Sequence, residues 1–117
     1  MEESQDNDLA WKALSDTTRR KILELLSDKD LTPTYLLQSF SISQPALSSH
    51  LQILHNSHLV KKQKYGKNWL YSINPKKIQE IRKYMDNFAR TPRFVEIMQE
   101  KMVTSLKESL ALSENIK

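Results

Sequence analysis

A chain of 117 residues, 38% of them hydrophobic, has the length and composition of one modest globular domain. The absence of cysteine excludes disulfides, thiolate zinc sites and thiol nucleophiles. The net charge of +4 is unevenly distributed, because residues 17–93 carry fourteen Lys or Arg against five Asp or Glu, whereas residues 1–16 carry one against five. A basic middle segment favours a polyanionic partner, although a solvated lysine-rich face gives the same pattern.

The sequence contains no apolar run long enough to span a bilayer, so we expect no membrane association. Its acidic start lacks the positive charge of a secretory signal peptide, which predicts a cytoplasmic protein. Residues 1–7 are expected to be a disordered tail. Asp8 should then cap a first helix, and Ser15 or Asp16 a second one.

Three cations, Arg19, Arg20 and Lys21, lie near the start of the second predicted helix. Positive side chains oppose the positive end of a helix dipole, so their position needs another reason. A nearby phosphate is one such reason, and a solvated basic turn is the alternative.

The middle of the chain predicts two short helices joined by a tight turn at residues 40–42. Thr32-Pro33 is a typical cap followed by proline at the first helical position, and Ser43 with Pro45 repeats that pattern. The second of these helices carries an apolar stripe on its inner face, formed by Leu47, Leu51 and Leu54 with Ile53. This layout is typical of a helix-turn-helix.

A β-hairpin is predicted next, with strands at residues 59–65 and 68–73 around Gly66-Lys67. Asn74-Pro75 then opens a long helix that ends near residues 90–92, and a last helix should run from Phe94 to about Ser113. The predicted fold class is therefore mainly α with a small β-hairpin (α+β). In this organisation residues 8–90 form a winged helix-turn-helix domain, and residues 91–117 form a C-terminal helix that dimerises or caps the core.

The outward face of the helix from Ser43 to His55 is polar and free of acidic residues. Gln pairs with adenine, Ser with several base edges, and a small Ala46 admits a thymine methyl, so this face suits a DNA groove. Taken alone, such a face is also typical of any soluble helix. The hairpin that follows carries Lys61, Lys62, Lys64 and Lys67 without an acid, which suits phosphate anchoring or the protection of an exposed strand edge.

The segments Ala13–Leu26, Ile42–Leu54 and Leu59–Asn74 together resemble the ArsR family of bacterial and archaeal repressors, over about residues 9–90. The most specific features are the Ser-Gln-Pro start, the Ser-x-His-Leu centre and the Tyr-x-x-Asn end of the wing. The resemblance implies that the helix from Ser43 is the recognition helix, that Lys64–Asn68 is the wing tip and that the protein is a homodimer. It also implies repression of transcription, with activation left open.

Two sets of DNA-binding residues follow from the pattern and the resemblance. The recognition-helix set is Ser43, Gln44, Ala46, Leu47, Ser48, Ser49, His50 and Gln52. The wing and backbone set is Arg19, Arg20, Lys62, Lys64, Tyr65, Lys67 and Asn68. The predicted partners are therefore double-stranded DNA and a second copy of the chain, while an effector, small molecule or protein, is left unidentified.

The chain departs from metal-sensing relatives, which carry cysteines where Thr32 and Thr34 stand here. The helix after the wing offers Glu80 and Asp86 but no His. We therefore expect no metal and no cofactor. The second departure from the family pattern is Ser49, where many relatives carry a basic residue, so its phosphate contact is in doubt.

His50, His55 and His58 are close in sequence, but their spacing does not suit a metal site on one helix. For His50, which matches the motif histidine of the family, the alternatives are packing beside the wing and contact with DNA. No glycine-rich phosphate loop and no credible nucleophile set is present, so an enzyme is not expected.

The first, fifth and sixth predicted helices carry more large apolar residues than a small winged helix can bury, which favours a homodimer. The predicted interface residues are Leu9, Trp11, Met85, Phe88, Phe94, Met98, Met102 and Leu106. A two-fold dimer would recognise an inverted repeat. The rival function is a winged helix that binds a protein partner and no DNA.

Overall fold

A computed structural model describes the backbone of residues 2–115 and the side chains of residues 7–113. Its elements, in chain order, are α1 (Glu2–Leu14), α2 (Thr17–Asp28), α3 (Pro33–Leu37), α4 (Gln44–Asn56), β1 (Val60–Tyr65), β2 (Asn68–Ile73), α5 (Pro75–Ala89) and α6 (Pro92–Asn115). The predicted fold class, mainly helical with one hairpin, is confirmed. In the described range no helix is both long and apolar enough to cross a bilayer.

The chain divides into two compact units, Met1–Ile81 and Arg82–Lys117. The division falls within α5, whereas the sequence places the end of the DNA-binding domain after residue 90. The start of the chain also differs from the expected disordered tail, because α1 is helical from Glu2 onward. No proline or glycine occurs in the first eight residues, so nothing there interrupts the helix before the expected cap at Asp8.

The helix starts of the first unit are set by local caps. The Asp16 carboxylate accepts a hydrogen bond from the backbone N–H of Arg19, and Thr32 and Ser43 cap α3 and α4 in the same way. Pro33 and Pro45 lie in the first turns of α3 and α4, where no intrahelical N–H is needed. The two helices and the turn between them form the predicted helix-turn-helix.

The wing is an antiparallel hairpin in which Tyr65 pairs with Asn68 across a two-residue turn. Gly66 has φ +62°, which places a glycine at the first central position, as a type II′ turn requires. The strand pairing extends by one isolated bridge, in which Leu31 and Tyr71 exchange backbone hydrogen bonds of 3.1 and 2.9 Å. This bridge attaches the base of the wing to the segment before α3.

The core of the first unit lies between the first four helices and the base of the wing. Its buried apolar residues are Ala10, Ala13, Ile22, Leu26, Leu36, Leu47, Leu51, Leu54, Leu59, Val60 and Tyr71. α4 contributes three of them, all from the apolar stripe that the sequence predicted, so the opposite face of α4 remains available to a ligand.

The second unit contains the end of α5 and all of α6. Within it, Tyr84 and Phe88 make an edge-to-face contact with ring centroids 5.3 Å apart. The Thr91 hydroxyl accepts a 3.1 Å hydrogen bond from the backbone N–H of Phe94, which caps α6. Every described residue of α6 is exposed, including its large apolar side chains.

Candidate nucleic-acid interface

The polar residues predicted to read DNA do lie on the outer face of α4. Ser43, Gln44, Ser48, Ser49 and Gln52 are exposed, and Ala46 is half-buried. The Gln52 amide already donates a 2.9 Å hydrogen bond to the Asn56 side chain. Of the four other exposed side chains of this set, Ser43 accepts a 3.2 Å hydrogen bond from the backbone N–H of Ala46.

Leu47 is the exception, and its assignment as a DNA contact is wrong. Only 1% of its surface is exposed, because it belongs to the inner stripe of α4 and packs in the core. A side chain enclosed in this way cannot touch a base edge. Leu47 instead holds the helix against the rest of the domain.

The three cations at the start of α2 contact carbonyl groups of the protein. The sequence had suggested a nearby phosphate or a solvated basic turn as the reason for their position. Arg19 donates through Nε to Ala13 O at 2.7 Å and through Nη2 to Lys12 O at 3.1 Å. Arg20 donates through Nη1 to Leu14 O at 2.7 Å. These carbonyls end α1, where the helix dipole is negative, so the cations compensate the preceding helix.

Lys21 follows the same rule at the end of α3. Its Nζ donates to Ser39 O at 3.3 Å and lies 5.2 Å from the centroid of the Phe40 ring. All three guanidinium nitrogens of Arg19 contact protein atoms, which gives this residue a structural role, and its contact with a phosphate stays a prediction. Arg20 is exposed, and its contact with DNA stays a prediction.

His50 lies beside the start of α2, a position that the sequence did not suggest. Its Nδ1 is 3.2 Å from Arg19 Nη1 and 3.8 Å from Asp16 Oδ2. The pKa of Asp16 is lowered, chiefly by the hydrogen bond from the backbone N–H of Arg19. A polar cluster thus lies between the start of α2 and α4, and it contains Asp16, Arg19 and His50. Arg19 and His50, which are hydrogen-bonded to each other, are 31 residues apart in the sequence.

The wing exposes its predicted residues. Lys64, Tyr65, Lys67 and Asn68 are exposed, and Lys62 is half-buried. The strand register places Lys62 and Lys64 on one face of the hairpin together with Trp69. Their ammonium groups lie 4.9 and 4.8 Å from the centroid of the Trp69 ring. Trp69 therefore orients two of the wing lysines through cation–π contacts. Sequence analysis missed this role, although the alternation of side chains along the two strands places these residues on one face.

Asn74 connects the wing to the segment after α4. Sequence analysis identified this residue only as the last position of a family motif. Asn74, which ends the Tyr-x-x-Asn motif, donates through Nδ2 to His58 O at 2.8 Å, and its backbone N–H donates to Leu59 O at 3.0 Å. These bonds join the end of the hairpin to the segment that follows α4. The wing is thus held at a defined position relative to α4.

The electrostatics of this region suit a polyanion. Residues 31–79 contain no Asp or Glu and six lysines. Burial, and next the nearby charge of Lys62, lowers the pKa of His55, which keeps that imidazole neutral at pH 7. Among the side chains described, no three His, Asp or Glu residues come together as metal ligands, and the Thr32 hydroxyl is used to cap α3.

Comparison with known proteins places this geometry in a family. The family model described as bacterial regulatory protein, arsR family, matches residues 16–62. The transcriptional repressor SdpR of Bacillus subtilis (strain 168) is 40% identical over 78 residues, which cover 67% of this chain and 87% of the repressor. The chain belongs to the ArsR family.

Solved structures support the same assignment. The crystal structure of a possible transcriptional regulator for arsenical resistance is 26% identical, with a TM-score of 0.65, and the match covers 76% of this chain and 92% of that one. A homodimeric winged helix-turn-helix DNA-binding domain from Mycobacterium bovis has a TM-score of 0.61 at 21% identity, over 73% of this chain and 79% of that one, and at this identity it shows the fold alone. This ArsR-family protein is a transcriptional regulator with a winged helix-turn-helix fold.

Proposed function

We propose that this ArsR-family protein represses transcription by placing α4 in the major groove of an operator while the wing contacts the phosphate backbone. The observation that carries the proposal is the 49-residue stretch from 31 to 79, which contains no carboxylate and holds both the exposed polar face of α4 and the lysines of the wing. Carboxylates there would be repelled by phosphates on either side of the groove. Repression is the activity that the name of the Bacillus subtilis relative states for that protein.

Base reading is assigned to Gln44, Ser48 and Ser49. All three are exposed on the first two turns of α4, which are the turns that a helix-turn-helix presents to the bases. The Gln44 amide has both a donor and an acceptor, as adenine requires for a bidentate pair. Specificity is therefore expected to depend most on Gln44.

Phosphate anchoring is assigned to Lys62, Lys64 and Lys67, with Tyr65 and Asn68 beside them at the wing tip. Lys67 lies in the turn itself, and the other two lysines are held on one face by Trp69. Ammonium groups that neutralise phosphates release counterions, so each contact steepens the salt dependence of binding. The wing is expected to supply affinity without much sequence preference.

The proposed operator complex contains two copies of the chain. The exposed apolar side chains of α6 include Phe94, Met98, Met102 and Leu106, and the last two of these are 62% and 63% exposed. Contiguous exposed apolar surface of this kind marks a protein interface. A two-fold dimer would place two α4 helices in successive major grooves of an inverted repeat.

DNA binding is tested with duplexes selected from genomic fragments, titrated by fluorescence anisotropy across a salt series. Gln44→Ala should cost roughly 1–3 kcal/mol on the selected duplex and little on random duplex, whereas Gln79→Ala on α5 serves as the matched control. Lys67→Ala should lower the salt slope by about one unit, and Lys101→Ala on α6 should leave it unchanged.

Failure of the wild-type protein to bind any duplex at low salt would refute the proposal and favour the protein-interaction module. The dimer is tested separately by sedimentation at micromolar concentration. Met102→Glu should shift the protein toward monomer, since a charge placed in an apolar interface is costly. Ala111→Glu should not, because Ala111 is exposed on the opposite face of the same helix, nine residues from Met102. A wild-type protein that sediments as a monomer would refute the dimer.

A further inference from the structure

Arg19 connects the end of α1 to the recognition helix. Its guanidinium is fixed on one side by Ala13 O, 2.7 Å from Nε, and by Lys12 O, 3.1 Å from Nη2. On the other side Nη1 lies 3.2 Å from Nδ1 of His50 on α4. The guanidinium is planar, so hydrogen bonds at Nε and Nη2 leave little freedom to Nη1. The direction of the Nη1–H group is therefore set by α1.

This contact determines which nitrogen of His50 carries the proton. Arginine is always protonated and only donates, so Nδ1 must be the acceptor of the 3.2 Å hydrogen bond. An Nδ1–H group would find no acceptor in Asp16, because the Oδ2 atom is 3.8 Å away, beyond hydrogen-bond distance. In a neutral imidazole with Nδ1 as acceptor, the proton is on Nε2.

We propose that Arg19 is a positioning residue for DNA recognition, which holds the His50 imidazole of the recognition helix in the Nε2–H tautomer. The inference rests on the proposed function, because a donor at Nε2 matters only if α4 meets DNA. Phosphate oxygens and the guanine O6 and N7 atoms accept hydrogen bonds and never donate them, so Nε2–H is the form of His50 that they can use.

The proposal also separates Arg19 from its neighbour Arg20. Both arginines bond carbonyls at the end of α1, but Arg20 donates to Leu14 O and Thr17 Oγ1, whereas the contact with His50 is made by Arg19. Replacement of either one by lysine keeps the positive charge and loses the planar fork. The two substitutions therefore form a matched pair that differs in the link to α4.

The tautomer is tested first on the free protein, by long-range ¹H–¹⁵N correlation spectra of the histidine rings in mildly alkaline buffer. Wild type and Arg20→Lys should show His50 with an unprotonated Nδ1 and a protonated Nε2. Arg19→Lys should shift both ¹⁵N resonances toward the average of a tautomer mixture. A wild-type spectrum with a protonated Nδ1 or an averaged ring, or a spectrum that Arg19→Lys leaves unchanged, would overturn the inference.

DNA affinity is tested next on the selected duplex. Arg19→Lys and His50→Asn should each weaken binding by about 3- to 10-fold, the value of one net hydrogen bond, and the double variant should lose no more than either single one. His50→Gln, whose amide places a donor near the position of Nε2, should bind more tightly than His50→Asn. Additive losses would show that Arg19 acts without His50 and would overturn the proposal.

The two measurements also distinguish this inference from the proposed function. A wild-type protein that binds no duplex refutes both. A protein that binds its operator with the wrong His50 tautomer refutes only the role of Arg19. Should Arg19→Lys fail to fold by circular dichroism, the wild-type spectrum and the comparison of His50→Asn with His50→Gln still decide the question.

Discussion

Helix α4 ends in a conformation that an L-amino acid rarely adopts. His58 has φ +64° and follows the C-cap residue Ser57. Its N–H bonds to His55 O at 3.0 Å, and the N–H of Leu59 bonds to Leu54 O at 3.2 Å, which are the two hydrogen bonds of a Schellman motif. Glycine usually occupies this position, because the left-handed region costs another residue roughly 1–2 kcal/mol.

His58→Gly is therefore expected to stabilise the protein. Glycine relieves the strain but gives the unfolded chain extra freedom worth roughly 0.5–1 kcal/mol, which leaves a net gain of about 0.5–1 kcal/mol. The 2.8 Å bond from Asn74 ends on the carbonyl of His58, so it survives the substitution. Urea unfolding at fixed protein concentration measures the gain, and the melting temperature should rise by about 2–6 °C.

His58→Ala is the control, because it removes the same imidazole and keeps the strained backbone. It should be no more stable than the wild type. Equal stabilisation by alanine and glycine would show that the side chain, and not the backbone angle, was unfavourable. Destabilisation by glycine would refute the reasoning altogether.

Two further substitutions test the caps and the core. Asp16→Ala should cost about 1 kcal/mol through loss of the α2 cap, while Asp16→Asn should keep most of it. The lowered pKa of Asp16 means that the stabilisation by its charge is complete above its ordinary pKa of 3.8 and is lost as the pH falls below that value, which urea titrations of wild type and Asp16→Ala at several acidic pH values can follow. Leu47→Ala should destabilise by about 2–5 kcal/mol in the same assay and its exposed neighbour Ser48→Ala by less than about 0.5 kcal/mol, whereas comparable effects would contradict the burial of Leu47.

Much of the DNA-binding unit could be predicted because its signals are local. The caps at Asp16, Thr32 and Ser43 each bond an N–H three residues ahead, so a short stretch of sequence contains both partners. The hairpin needs only a two-residue turn with glycine and alternating side chains on either side. The polar face of α4 follows from helical periodicity, which depends on spacing alone.

The tertiary structure alone decided the partners of the long side chains. Arg19 and Arg20 carry the charge of phosphate anchors, but each donates its shortest hydrogen bond to a carbonyl of the preceding helix. In both cases that carbonyl belongs to the residue six positions earlier in the sequence. The hydrogen bond between Arg19 and His50 depends on how α2 and α4 pack, and no local pattern contains that angle. Periodicity identifies which face of a helix is apolar, whereas the partner of a flexible charged group is chosen by whichever acceptor the packing brings within reach.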